Sequence, residues 1–355
     1  MTKPSADNST LRCLGAPGPE PFLIEVSRGE VVESRHAVDA AIVDAEGAVH
    51  TVWGAIERPI YPRSATKPIQ ALPLIESGGA EAFDLGDSEI ALAAASHAGE
   101  PVHVETVLAW LRRLGLAEAD LECGGHWPRN QAIFEALIRA DTALGPARNN
   151  CSGKHTGMLS HAVHLGDATQ GYVRPEHPVQ QRVARALAEI CDVDLATLPR
   201  GVDGCSIPTF AIPLRNLALG MARFANPDGL AADRARACRR IAEAMWAAPY
   251  MVAGMDRCCT AVLQACQGRV VAKTGAEGVY MAGLPGQGLG IALKARDGAG
   301  RASEVALLAL LDHLGVLDEA ACAALAPFRR PEIANVRGTV VGALRPAAWS
   351  GWAAF

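Results

Sequence analysis

The chain predicts an α/β fold of the α+β kind: a mostly antiparallel sheet flanked by helices, plus a helical subdomain. Three observations carry this. Strand-like runs occur at both ends of the 355 residues, the middle has the 3.6-residue apolar period of helices, and Gly-rich turns return after Pro249. Strands separated by a long helical stretch can share a sheet only if the chain comes back to it, with the helices packed alongside.

In order, residues 1–20 are polar and contain Pro and Gly, and read as a flexible arm. Phe22–Val26, Glu30–Glu33, Val38–Val43 and Val49–Trp53 read as strands, with a hairpin turn at Ala45-Glu46-Gly47. A helix is expected from Ser64, as its N-cap, to about Glu76, ending at Gly78-Gly79. Pro68 falls in its first turn, and Pro73 should kink or shorten it. Segments 88–95, 103–114, 130–140, 156–165, 178–190, 213–224 and 231–247 carry apolar residues at three- and four-residue steps. Thr260–Cys266, Arg269–Thr274, Gly278–Leu284 and Gly288–Ala295 read as strands or short elements joined by Gly turns. Helices at Ser303–His313 and 318–325 and a strand-like run at Asn335–Leu344 follow. The division expected is one catalytic domain over 21–345, with a sheet subdomain (21–80 and 255–345), a helical subdomain (81–254) and a tail at 346–355.

Half of the residues are hydrophobic and a fifth are charged, so a large core is available. No 18-residue uncharged apolar run occurs, which argues against a membrane span. The first twenty residues lack the basic-then-apolar pattern of an export signal, so the expected location is the cytoplasm. The net charge of −5, without a basic block, argues against nucleic acid as a partner. Ten cysteines in such a chain suggest reduced thiols, and Cys191, Cys238, Cys258, Cys259, Cys266 and Cys322 read as core. Of 33 basic residues only five are lysines, at positions 3, 67, 154, 273 and 294. An amine can lose its proton and a guanidinium cannot, so a Lys retained in an Arg-rich chain points to proton or ligand chemistry.

Three of those lysines fall in chemically crowded motifs. Ser64-Ala65-Thr66-Lys67 places a hydroxyl and an amine three residues apart, on one helix face, where a deprotonated lysine could activate the serine. Val271-Ala272-Lys273-Thr274-Gly275 sits on an expected late strand. Ser-x-x-Lys, then a second serine (Ser96 here), then Lys-Thr-Gly is the ordered signature of serine β-lactamases and penicillin-binding proteins. A second basic group near Lys67 would help keep one amine neutral. The third motif, Asn149-Asn-Cys-Ser-Gly-Lys-His-Thr-Gly157, combines with Gly201-Val-Asp-Gly-Cys-Ser-Ile-Pro208. Its Cys151, His155, Asp203 and Cys205 are all acceptable zinc-ligand types, and Lys154 is an unusual one. By spacing alone, a two-loop metal site and a pair of buried thiols in tight turns both remain open. Cys123-Gly-Gly-His-Trp-Pro128 reads as a structural turn, and His161 and His164 as surface or core.

Together with Arg63-Ser-Ala-Thr-Lys-Pro-Ile-Gln70, Ser96-His-Ala-Gly-Glu100 and Cys123–Pro128, these motifs resemble the rhizobial-type L-asparaginases, the class 3 or asparaginase II group, over about residues 20–345. The resemblance implies a fold similar to serine β-lactamases and glutaminases, a homodimer, and hydrolysis of L-asparagine to L-aspartate and ammonia. It implies two Ser/Lys tandems, Ser64 with Lys67 and Ser96 with Lys273. It further implies Zn2+ held by Cys151, Lys154 and Cys205 with water, and a site lined by Arg63, His155 and Asp203. On this basis Ser64 attacks the amide carbon. Backbone N–H groups at Ser64 and near Thr274-Gly275 hold the oxyanion, and Ser96 relays a proton to ammonia. Glutaminase or broader amidase activity on the same site is the nearest alternative. A non-catalytic zinc-dependent binding protein is the alternative of another class.

Overall fold

The computed structural model describes residues 18, 20–128 and 130–347. The arm expected at 1–20 and the tail at 346–355 therefore lie largely outside the described residues. The strands are β1 (Phe22–Arg28), β2 (Val31–Asp44), β3 (Val49–Trp53), β4 (Pro59–Ile60), β5 (Arg200–Val202), β6 (Pro208–Phe210), β7 (Ile212–Pro213), β8 (Val271–Thr274), β9 (Val279–Leu284), β10 (Leu289–Ala295), β11 (Glu332–Ala334) and β12 (Val340–Pro346). The main sheet runs β11-β12-β1-β2-β10-β9-β8, with β3 on β2, and every pairing is antiparallel. β4 pairs with β7 and β5 with β6 in two small ribbons.

Both faces of the central strands are buried, so side chains alternate between two cores. On β2, Ala41 and Val43 face one core while Val38, Ala40 and Ile42 face the other. On β9, Val279 and Met281 divide from Tyr280, Ala282 and Leu284 in the same way. The second core is closed by the helices Cys258–Ala265 and Gly300–His313. The first is covered by Leu214–Ala225 and by the helices between Lys67 and Ala247. Glycines bring Leu214–Ala225 flush with the sheet. A Cβ on Gly290 would lie 2.0 Å from the Ala218 carbonyl oxygen, and one on Gly283 2.5 Å from that of Met221. Among the described residues no helix is long and apolar enough to cross a membrane.

The architecture is the α+β arrangement that the sequence predicts, and several elements depart from expectation. The runs Glu30–Glu33 and Val38–Val43 are one strand, β2, because its pairing with β1 continues across the polar stretch between them. Thr260–Cys266 is not a strand: helix Cys258–Ala265 occupies it, its apolar residues sealing the second core at helical spacing. The helix expected from Ser64 to Glu76 is three pieces. Arg63–Thr66 is a 3-10 turn, and Lys67–Gln70 and Leu72–Glu76 are short helices. Pro68 and Pro73 each sit in the first turn of a new helix, where their missing N–H costs nothing. Ser64 is therefore inside the turn rather than its cap, a place held by Pro62.

Candidate active site

The motif after Asn149 is helical earlier than its periodicity suggests. Its helix is Ser152–Leu165, capped by Cys151, so Lys154 and His155 lie in the first turn. Gly153 and Gly157 explain the local choice. A Cβ on Gly153 would meet the Leu92 carbonyl oxygen at 2.4 Å, and one on Gly157 the Ala93 Cβ at 3.2 Å. Helical glycines cost stability; here they let this helix press against Asp87–Ala93, the helix that leads into Ser96. Asn149 ties the loop down: its amide donates to the Cys123 and Gly124 carbonyls at 2.8 and 2.9 Å and accepts from the Cys151 N–H at 2.8 Å. The Asn150 N–H donates to His126 Nε2 at 2.8 Å. The Cys123–Pro128 segment is thus a buttress for the loop, as its turn chemistry indicates.

Three of the chain's five lysines are buried together. Lys67, Lys154 and Lys273 are 1%, 2% and 0% exposed. Lys is almost never buried to this degree without a partner. Lys67 Nζ donates to the Ala95 carbonyl, to Ser96 Oγ at 3.0 Å and to the Asn150 carbonyl at 3.3 Å. Lys273 Nζ donates to Ser96 Oγ at 2.9 Å and to its neighbour's carbonyl, on Thr274, at 2.7 Å. The period-2 alternation of β8 sends Lys273 to the same face as Val271, toward the core that holds the helix leading into Ser96. One hydroxyl therefore sits between two amines. Burial pushes Lys273 down to about 7; the nearby Lys67 and Arg257 charges add to this, against an opposing pull from Cys259.

Ser64 and Ser96 both line a cavity of about 320 Å³, with Asn150, Thr274 and Gly275. Ser64 follows Arg63, whose backbone is left-handed at φ 52°. That conformation is costly for a side-chain-bearing residue and typical of functional turns. Gly275 makes the close approach of β8 to this turn possible, since a Cβ there would stand 2.4 Å from the Pro62 carbonyl oxygen. The hydrogen bonds of Lys67 go to Ser96 and two carbonyls; among the described residues none runs to Ser64. The N–H groups of Thr274 and Gly275 are also committed, to Cys259 Sγ at 3.3 Å and to the Val279 carbonyl at 2.8 Å. An oxyanion donor near Thr274-Gly275 is therefore left to a neighbouring N–H.

Residues to which the sequence reading gave no role of their own hold Ser96 in place. Its N–H donates to the Val252 carbonyl at 2.9 Å. Four residues on, Glu100 accepts from the Tyr250 hydroxyl and, at 3.1 Å, from the Met255 N–H. His97 accepts the Gly99 N–H at Nδ1 (3.1 Å) and donates from Nε2 to Ser152 Oγ (2.9 Å), which itself donates to the Ala147 carbonyl. Burial holds His97 well below the usual imidazole range, consistent with this neutral role.

The second cluster is Cys151, Lys154 and Cys205, all buried. Cys205 lies in the turn of the β5–β6 hairpin, which the Asp203 N–H closes on the Ile207 carbonyl at 2.9 Å. Lys154 Nζ stands 3.0 Å from Cys205 Sγ. The hydrogen bond from the Cys205 thiol, and the charges of Lys67 and Lys154, hold Cys151 well below the usual thiol range; the same hydrogen bond pushes Cys205 up. Burial alone would lower Lys154, but the two sulfurs outweigh it and raise the amine. Two sulfurs and one nitrogen gather in this buried cluster, an N/S donor set of the kind tetrahedral Zn2+ takes once the Lys154 amine has lost its proton. No group of three His, Cys, Asp or Glu side chains gathers as a metal site among the described residues, and this cluster contains only two of that kind.

The residues expected to line the substrate site bond to protein groups. Arg63 Nε donates to Asp203 Oδ1 at 2.7 Å, and His155 Nδ1 shares a hydrogen bond of 2.7 Å with the Tyr172 hydroxyl. None of the three lines the cavity, whereas Thr274 and Gly275 do.

The family model for L-asparaginase II matches residues 24–346. The chain belongs to the L-asparaginase II family. That span contains both serines, all three buried lysines and both cysteines of the cluster. No curated protein sequence matches the chain. Among solved structures, two of Mglu are similar at 14% and 15% identity, covering 89% and 90% of this chain and 77% and 74% of theirs, with TM-scores of 0.45 and 0.47. A β-lactamase from Mycobacterium bovis is similar at 14% identity over 82% of this chain and 94% of its own, TM-score 0.38. Likenesses this loose carry no functional weight. The family membership supports an amidohydrolase of the asparaginase type acting on a small molecule.

Proposed function

We propose that this L-asparaginase II family member hydrolyses L-asparagine to L-aspartate and ammonia through Ser64, Lys67, Ser96 and Lys273. The observation that carries the reading is the convergence of two buried amines on one Ser96 hydroxyl, at 3.0 and 2.9 Å, beneath a cavity that Ser64 also lines. Lys273, held near 7, gives up its proton readily. The Ser96 hydroxyl then connects it to Lys67 as a proton relay. Lys67, made neutral by passing its proton along Ser96, takes the proton of Ser64 as that oxygen attacks the side-chain amide carbon. The Ser64 N–H and the N–H of Ala276, the next residue after the committed Thr274 and Gly275, receive the developing oxyanion. Ser96 returns a proton to the leaving ammonia, and water releases aspartate from the acyl-enzyme.

Zn2+ on Cys151, Lys154 and Cys205 belongs to the same proposal. When bound it supplies a fixed positive charge beside the serines. The chain's own cluster orients Asn150, whose carbonyl accepts from Lys67 and whose side-chain oxygen lies 3.1 Å from Cys151 Sγ. A homodimer, as the resemblance implies, and a cytoplasmic location complete the reading; light scattering and cell fractionation test those two parts.

The decisive experiment is a coupled ammonia assay with L-asparagine and L-glutamine, followed by mass spectrometry of the trapped acyl-enzyme. An adduct on Ser64 is expected. An adduct on Ser96, or kcat/KM favouring glutamine, overturns the corresponding half of the proposal.

A further inference from the structure

β8 is the last strand of the main sheet and pairs on one side only, with β9. A sheet edge leaves alternate N–H and C=O groups without a ladder partner, and a buried one that stays unpaired costs stability. Gly275 turns its N–H toward β9, onto the Val279 carbonyl, so Thr274 turns both of its backbone groups outward. Each finds a partner outside the sheet. The Thr274 carbonyl takes the Lys273 amine at 2.7 Å, and the Thr274 N–H takes Cys259 Sγ, from the start of helix Cys258–Ala265, at 3.3 Å. The sulfur is held in turn. Tyr280, directly opposite Thr274 on β9, shares a hydrogen bond of 3.0 Å between its hydroxyl and Cys259 Sγ, and both residues are buried.

The Thr274 N–H belongs to the peptide unit that leaves Lys273, whose Nζ donates to Ser96 Oγ at 2.9 Å. The helix therefore grips the main chain of β8 at the lysine, while the amine of that lysine reaches the serine. Cys259 does not line the cavity, so its influence on the site runs through the strand. We propose that Cys259, seated by the Tyr280 hydroxyl, is a positioning residue for Lys273: its sulfur closes the free edge of β8 and so aims the amine at Ser96. This rests on the amidohydrolase reading and adds to it the device that holds one of its lysines. The sulfur also acts on charge. Burial lowers Lys273 most and Cys259 is the chief influence opposing it; Lys67 and Arg257 add to the lowering, and Cys151 opposes it. Removing the sulfur leaves the cations less opposed, so Lys273 is neutral down to a lower pH.

The test uses Cys259→Ala, Cys259→Ser and Tyr280→Phe in the full chain. One readout is ammonia release from L-asparagine across pH. The other, without turnover, is NMR titration of lysines labelled with 13C at Cε. The chain has five lysines, and the Lys273 signal is the one missing from Lys273→Arg. Cys259→Ala should lower kcat about tenfold with KM changed less than about twofold, since a buried N–H loses its acceptor while the cavity lining is untouched. The Lys273 midpoint and the acid limb of the rate profile should both move to lower pH. Cys259→Ser keeps an acceptor for the Thr274 N–H and should recover most of the lost kcat. Tyr280→Phe keeps the sulfur and loses only its seat, so it should fall between wild type and Cys259→Ala. Equal kcat in the alanine and serine variants overturns the proposal, as does a lowered melting temperature with kcat and the Lys273 midpoint unmoved. Should Cys259→Ala fail to fold, wild-type kcat and midpoint in Tyr280→Phe overturn it. If the midpoint moves as stated but wild type releases no ammonia from any amide, hydrolysis fails and the positioning role stands. If wild type hydrolyses asparagine and Cys259→Ala matches it in kcat and midpoint, the reverse holds.

Discussion

Two buried lysines, Lys273 and Lys154, have opposite protonation chemistry. Lys273 meets a hydroxyl and a carbonyl, with Lys67 and Arg257 as neighbouring cations, and burial brings it down to about 7. Lys154 meets Cys205, with Cys151 close by, and the sulfur charge raises it despite complete burial. Desolvation is common to both; the partner decides the sign. A lysine stripped of water among dipoles becomes a proton carrier, and one packed against two sulfurs becomes a fixed charge or, on losing its proton to a metal ion, a ligand.

The largest effect that can break this contrast is arginine substitution. Lys67→Arg or Lys273→Arg keeps a cation but removes the deprotonatable amine, and kcat should fall by about 10³-fold or more. Steady-state rates near wild type would show that neither amine moves a proton. Next is the packing that brings the two clusters together. Gly153→Ala drives a Cβ into the Leu92 carbonyl oxygen, and should cost about 1–3 kcal/mol of stability; chemical denaturation measures it, and an unchanged midpoint would remove the account of the helix contact.

The two clusters should also separate by metal. Cys205→Ser should abolish stoichiometric zinc, measured by plasma mass spectrometry, while Ser96→Ala should retain it. Loss of zinc from both, or from neither, merges the regions that the protonation chemistry distinguishes. The rate should follow Lys273 rather than Lys154. If a neutral amine is required, kcat/KM falls as pH drops through about 7, approaching tenfold per unit, and a flat profile from pH 6 to 8 contradicts it.

The smallest effect concerns stability in acid. His161 is buried with neither ring nitrogen hydrogen-bonded among the described residues, and burial, with Arg182 nearby, lowers it to about 3. Its unfolded value is about 6.5, so between these limits the unfolded chain binds a proton that the folded chain does not. Stability contributed by neutral His161 is present above pH 6.5 and declines as pH falls. Between pH 6.5 and 5 the loss is about 2 kcal/mol, at about 1.4 kcal/mol per unit. The stability difference between wild type and His161→Phe should change by that amount over the range, as read by denaturant unfolding; a pH-independent difference contradicts it.

Much of the sheet was legible because strands buried on both faces read as nearly continuous apolar runs, and Gly turns mark their ends. The failures were local. Pro68 and Pro73 left open whether one bent helix or several short ones would form, because a proline is tolerated in any first turn. Thr260–Cys266 carries β-branched and apolar residues too short a run to separate strand from helix by period. The site residues were visible as chemistry: rare lysines beside serines and cysteines in an Arg-rich chain.

Sequence by itself determined which groups could react, because the identity of an amine, thiol or hydroxyl is set at each position. It also limited the backbone at Gly153, Gly275 and Gly283, where side chains would collide. Which amine meets which partner was decided only by tertiary structure. Lys67 lies three residues from Ser64 yet hydrogen-bonds Ser96, 29 positions away. Arg63 and Asp203, 140 positions apart, cancel each other, while Arg257, in no motif, remains open to the cavity. The physical reason is that protonation and charge depend on burial and on neighbours within a few ångströms, and those neighbours come from strands and helices that only the folded chain brings together.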